Sequence, residues 1–177
     1  MSFQPYHYYW YWDKELPQET CKKLIEALHM QMGSNPNPEN KTESEQGDGE
    51  CKHEVVRGNE QWVYDLIWGY MATANEMAGW KYDIAVPEEY QITRYPKDGH
   101  YAWHVDGMGS HNDIYLDQPQ SNLNGNTRKL SMSVILNSEF EGGNLEIGGG
   151  HLQTPSFGEG SIIVFPSYTP HRVTPVT

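Results

Sequence analysis

Two imidazoles and a carboxylate set the chemical question. His104-Val105-Asp106 places a histidine and an acid two residues apart, and His171 follows in the segment Ser161-Ile-Ile-Val-Phe-Pro-Ser-Tyr-Thr-Pro-His171-Arg-Val173. On a strand, residues i and i+2 project from one face, so His104 and Asp106 would converge on a common point. Taken singly, each histidine is an ordinary surface or core residue. Taken with Asp106, two histidines and one carboxylate around a cation leave coordination positions open, the facial set that suits Fe(II). The remaining candidates are weaker. His100, His111 and His151 read as loop residues, and no nucleophile motif supports Ser-His-Asp chemistry. Gly148-Gly-Gly150 has no strand and helix around it, so it reads as a turn rather than a phosphate loop.

The elements that must hold these residues are short strands. After Lys81 the chain breaks into Tyr90–Tyr95, Tyr101–Asp106, Lys129–Leu136, Leu145–Ile147, Ser161–Phe165 and Tyr168–Val173, separated by Gly, Pro and Asn clusters. Such spacing predicts an all-β sandwich or barrel. Two helices precede it. Pro17 opens the first, with Cys21, Leu24, Ile25, Leu28 and Met32 on one face, and Gly33 stops it. The second spans about Asn59 to Gly79, with Val63, Leu66, Ile67, Tyr70, Met71, Ala74, Met77 and Ala78 on one face, the methionines as core filler. The aromatic start (Phe3, Tyr6, Tyr8 to Trp12) reads as an extended strand that packs. Between the helices, residues 33–54 are polar and charged, with six acids against two lysines over Glu39 to Glu54. That composition predicts a mobile acidic loop. Gly107 to Thr127, polar and Gly/Asn-rich, is a lid or a solvated connection beside the metal strand.

Composition narrows the rest. A chain of 177 residues suits one domain, and its formal charge of −12 argues against a nucleic-acid or anionic-membrane surface. The longest apolar run, Ile162 to Phe165, is far short of a membrane span. The start lacks the basic residues and aliphatic stretch of a secretion signal, and two cysteines make no disulfide framework, so a cytoplasmic protein is expected. Five of the twelve basic residues (Arg94, Lys97, Arg128, Lys129, Arg172) fall in the site-bearing segments, which suggests a locally positive mouth.

At this point the residues carry a resemblance. Tyr95-Pro-Lys-Asp-Gly-His-Tyr-Ala-Trp-His104-Val-Asp106, Arg128-Lys-Leu-Ser-Met-Ser-Val-Ile-Leu-Asn137, Glu141-Gly-Gly-Asn-Leu145 and His171-Arg-Val-Thr-Pro-Val occur in the order and spacing of one family. The run from Tyr95 to Thr177 resembles the catalytic core of Fe(II)/2-oxoglutarate-dependent dioxygenases, the prolyl-4-hydroxylase-like branch, and is especially similar to PKHD-type hydroxylases of bacteria and phages. The resemblance implies a mainly β, α+β protein: a double-stranded β-helix, or jelly-roll, buttressed by N-terminal helices. Residues 1–177 would form one domain, with the aromatic strand and helices in 1–80 and the catalytic core in 81–177. It implies His104, Asp106 and His171 as iron ligands, and Tyr95, Ile135, Leu145 and Val173 as the lining of the 2-oxoglutarate pocket, with the Tyr95 hydroxyl a hydrogen-bond donor. Ascorbate is the expected reductant.

The implied reaction hydroxylates a C–H bond, most naturally on a prolyl residue of a peptide or protein, and releases succinate and carbon dioxide. A free amino acid or small metabolite is the alternative substrate. A jelly-roll module that keeps the triad without turnover is the alternative from another class. The family's Arg or Lys that anchors the far carboxylate of 2-oxoglutarate lies about ten residues beyond the second histidine, further than Thr177, so the C-terminal end of the domain is expected to be missing. Arg172 would point to the opposite face from His171. Arg128 and Lys129 could approach the pocket rim.

Overall fold

The computed structural model describes residues 7–34, 39–43, 50–107, 112–117, 121–148 and 154–177. Along the chain these form β1 (Trp10–Trp12), α1 (Gln18–Ser34), β2 (Glu39–Glu43), β3 (Glu50–Gly58), α2 (Gln61–Met77), β4 (Tyr90–Arg94), β5 (His100–His104), β6 (Leu130–Val134), β7 (Leu145–Ile147), β8 (Ile162–Pro166) and β9 (His171–Val173). One antiparallel sheet has the order β1-β8-β6, and the other runs β2-β3-β5-β9-β7, with β4 also paired to β3. This is the mainly β, jelly-roll architecture backed by two helices that the sequence predicts.

Alternation decides how the smaller sheet is used, because successive strand residues face opposite sides. Ile162 and Val164 of β8 pack with Leu130, Met132 and Val134 of β6 and Trp10 and Trp12 of β1 against the helices. Ile163 and Phe165 turn the other way and meet Leu145, Ile147, Ile135 and Val173 between the sheets. Residues 162 to 164 are 0 % exposed, so β8 is buried on both sides. Its unbroken apolar run follows from that, since a strand covered on one face only would alternate.

The helices form because each has one apolar face to bury. Pro17 precedes α1, where a missing N–H costs nothing, and its carbonyl accepts from the amides of Thr20 and Cys21 at 2.9 and 3.2 Å. Cys21 and Leu24 bury into the core, and the helix runs on through Gly33 to Ser34. In α2, Val63 and Ala74 are buried and Leu66, Ile67, Tyr70 and Met71 pack around them. Met77, expected in the core, is 58 % exposed because it falls off that stripe. Past Gly79 (φ 79°) the buried Asn75 side chain donates to the Tyr82 carbonyl at 2.8 Å and accepts from its amide at 3.0 Å, turning the chain toward β4.

Gly160 joins the layers before β8. Its φ is +82°, its carbonyl accepts from the Leu16 amide at 3.0 Å, and a Cβ there would run into the Leu16 carbonyl. Only glycine suits both conditions.

The expected loop over 33–54 is overturned in part. Glu39–Glu43 and Glu50–Gly58 are strands, paired with each other, and β3 also pairs with β4 and β5. Cys51, His53 and Val55 alternate inward and are buried, while Lys52 is exposed. Residues 35–38 and 44–49 lie outside the described residues, as do His111, His151 and parts of the 107–127 connection. His100, expected in a loop, opens β5, where its Nδ1 lies 3.0 Å from the Asp98 carbonyl.

Candidate metal centre

β5 and β9 pair with His104 opposite His171, so the two imidazoles begin on neighbouring strands in register. β5 ends at His104, and Asp106 lies in the bend beyond it, not on the strand as expected. Its position is fixed instead by its amide, which donates to the Ser167 carbonyl at 2.9 Å, just past β8. The predicted convergence is reached by a bend rather than by strand parity.

The three side chains meet. His104 Nε2 and His171 Nε2 stand 3.8 and 3.7 Å from Asp106 Oδ1, and one ligand atom from each residue lies within 4.8 Å of the others. Both rings are set by their far nitrogens. His104 Nδ1 lies 2.8 Å from the Ala102 carbonyl, and His171 Nδ1 lies 2.9 Å from that of Thr169. A carbonyl only accepts, so the proton sits on Nδ1 and the Nε2 lone pair is left facing the carboxylate. Burial, and then the charge of His171, push the His104 imidazolium below the usual range, which favours the neutral ligand form.

Around the rings is a row of aromatic groups, the first pair stacked and the others tilted. Tyr101 lies on His104 with centroids 3.6 Å apart and planes 17° from parallel; His104 meets His171 at 4.2 Å, and Phe165 backs His171 at 4.7 Å. Strict alternation would put Tyr101 and His104 on opposite faces. A register shift between them in the β5–β9 ladder brings them to one side.

Asp106 is hydrogen-bonded through its side chain at Oδ2. Ser131 Oγ donates to Oδ2 at 2.5 Å and lies 2.9 Å from Ser167 Oγ, while Arg128 Nη1 approaches Oδ1 at 3.7 Å. Burial would raise this carboxyl, but His171, Arg128 and the Ser131 bond outweigh it and hold it below the ordinary carboxylate range. Arg128 is clamped in turn. Its Nε donates to Glu88 Oε1 at 2.7 Å, its Nη2 pairs with Glu88 Oε2, and Tyr115 donates to Oε1 at 2.8 Å. Burial pushes Glu88 up as well, and its bonds with Arg128 and Tyr115 bring it lower overall.

Of the expected pocket residues, Ile135, Leu145 and Val173 share the apolar cluster between the sheets, with Leu145 paired to Val173 in register. Tyr95 is not among the residues of that cluster; its ring lies 5.5 Å from that of His53. Burial, then Tyr101, Cys51 and Asp106, raise its hydroxyl well above the ordinary phenol range, so it stays a donor. Arg172 points away, paired with Glu146 at 2.8 Å and 4.9 Å above the Trp103 ring, as strand parity predicts. Of the five basic residues expected to make a positive mouth, Arg94, Arg128 and Arg172 are each matched by a glutamate, Glu54, Glu88 and Glu146.

The sequence reading missed Ser167, Glu88 and Tyr115. Ser131 had a visible signal, since its alternation with Ser133 and Ile135 turns it inward. Glu88 and Tyr115 come from segments with no regular period, so nothing local marks them.

Comparison with known proteins agrees with this geometry. The profile of the 2OG-Fe(II) oxygenase superfamily matches residues 90–177, the part of the chain that carries β4 to β9 and all three candidate ligands. Through that half the chain belongs to the 2OG-Fe(II) oxygenase superfamily, and the enzyme class is that of an oxygenase using Fe(II) and 2-oxoglutarate. No curated protein matches the sequence. Among the solved structures that share the fold are two hydroxylases. A prolyl-4-hydroxylase from Pseudomonas putida is 17% identical, with a TM-score of 0.62 over 96% of this chain and 85% of that one. A viral collagen prolyl hydroxylase from Paramecium Bursaria Chlorella virus-1, in complex with 2OG, is 23% identical, with a TM-score of 0.65 over 97% of this chain and 90% of that one. No helix of the described residues is long and apolar enough to cross a membrane.

Proposed function

We propose that the chain hydroxylates a prolyl residue of a peptide or protein, with Fe(II) on His104, Asp106 and His171 and 2-oxoglutarate as cosubstrate. The observation that carries this reading is the orientation of the three donors: both Nε2 lone pairs face Asp106 Oδ1 beside an apolar cluster between the sheets. Two neutral imidazoles and one carboxylate fit a divalent iron and leave positions for other ligands. With Fe(II) bound, dioxygen would be the oxidant: 2-oxoglutarate would give up two electrons as it is decarboxylated to succinate and carbon dioxide, the C–H bond would give up the other two, and one oxygen atom would go to each.

The chain's own share is placement. The backbone carbonyls of Ala102 and Thr169 keep each proton on Nδ1, and Ser131 holds Oδ2 so that Oδ1 faces the rings. Ile135, Leu145 and Val173 keep water from the cosubstrate, and the Tyr95 hydroxyl donates a hydrogen bond to it. The prolyl assignment draws on the two hydroxylases of like fold.

The test is succinate formation by the protein with Fe(II), ascorbate and 2-oxoglutarate, with and without a proline-containing peptide. Peptide-stimulated succinate is expected, with a mass gain of one oxygen on the peptide. Iron bound with no succinate under any condition would refute the enzymatic reading. His171→Ala should lose iron binding while its circular dichroism stays native, and retained iron would mean the ligand set is wrong.

A further inference from the structure

We propose that Glu88 is a positioning residue: it holds Arg128 off Asp106 and so keeps the metal-facing oxygen of that carboxylate free. The inference rests on the reading of His104, Asp106 and His171 as the metal site.

An arginine and an aspartate this close ordinarily close up into a hydrogen-bonded fork, because the guanidinium matches a carboxylate edge on. Here Arg128 Nη1 stops 3.7 Å from Asp106 Oδ1, the same oxygen that both imidazoles face. The fork is already occupied. Nε and Nη2 go to the two oxygens of Glu88, leaving Nη1 alone on the side of Asp106.

Glu88 cannot easily follow the arginine inward, because it is fixed from two directions. Tyr115 donates to its Oε1 at 2.8 Å, and Tyr64 of α2 donates to its backbone carbonyl at 3.1 Å. Three segments far apart in sequence therefore hold one guanidinium in place. Charge makes the same point. Asp106 and Arg128 alone sum to zero, a poor site for a divalent cation, whereas Glu88 restores a net negative charge. Both partners of the clamp are about three-quarters covered (24 % and 26 % exposed), so water does not screen this difference as it would at the surface.

The test is titration of metal-free protein with Mn(II), with free ion read by electron paramagnetic resonance and fold by circular dichroism. Wild type is expected to bind. Glu88→Gln, which removes the charge and leaves the shape, should weaken Mn(II) binding by about tenfold or more, the scale at which partners of metal ligands act. Arg128→Gln should bind at least as tightly as wild type, and the double variant should recover to within about threefold of wild type, the mark of a coupled pair. Neither of these two leaves an unmatched arginine beside Asp106, so they carry the test even if Glu88→Gln misfolds. Glu88→Gln binding like wild type, or Arg128→Gln weakened, overturns the inference while leaving the metal site standing. No Mn(II) binding by wild type overturns the site reading and this inference with it.

Discussion

Ser131→Ala tests how much of the metal site is built by a residue that never touches the metal. Ser131 Oγ donates to Asp106 Oδ2 at 2.5 Å, and no other hydrogen bond to that oxygen is made among the described residues. The bond turns Oδ2 away so that Oδ1 faces the two imidazoles. Alanine leaves the carboxylate free to rotate or to be taken by Arg128. A hydrogen bond to a charged group is worth about 1.5–3 kcal/mol, which converts to about ten- to hundredfold in a binding constant. Outer partners of metal ligands cost about that much when removed. Mn(II) affinity should therefore fall by about ten- to hundredfold with native circular dichroism. Ser133→Ala is the control, since Ser133 shares the face of β6 but is opposite Ile163, one step further from the carboxylate. An affinity for Ser131→Ala within about twofold of wild type would refute the argument that this bond orients Asp106.

Two further outcomes follow from the fold. Gly160→Ala forces a Cβ onto a backbone with φ +82° and against the Leu16 carbonyl, and should cost about 1–3 kcal/mol in urea denaturation; an unchanged midpoint would contradict the close approach. The metal-free protein should gain thermal stability as pH rises toward about 6.5, the ordinary histidine value. The sign follows from His104, whose folded state disfavours the proton through burial and the neighbouring His171, so the unfolded chain binds it more readily. His104→Ala should flatten that slope, and a slope that persists unchanged would assign it to another group.

The sequence made the catalytic half legible because its chemistry and its periodicity coincide. His104, Asp106 and His171 stand in short apolar segments bounded by Gly and Pro, and alternation turns Arg172 to the opposite face from His171. The failures have physical causes. β3 hides in an acidic stretch, where the inward set of Cys51, His53 and Val55 is interleaved with Glu50, Lys52 and Glu54, so mean polarity masks a period of two. Asp106 was placed on the strand because parity cannot show where a ladder ends. The clamp on Arg128 joins residues from the approach to β4, a loop and the approach to β6, and only tertiary packing brings such groups together. The pairing of Arg94, Arg128 and Arg172 is hidden for the same reason: counting basic residues along the chain does not count the glutamates that fold against them.

β8 gives the fold a consequence that its burial alone does not state. Ile162 and Val164 belong to the compartment shared with the helices, and Ile163 and Phe165 to the one that adjoins His171. One strand is thus a wall with two independent surfaces, each addressed by alternate codons. Substitutions at 163 or 165 act on the apolar cluster beside the metal centre, and those at 162 or 164 act on the layer shared with the helices. A shift by one residue, by contrast, exchanges both compartments at once. An insertion or deletion in this strand is therefore a larger disturbance than a change at any one side chain, because it moves every residue to the opposite face.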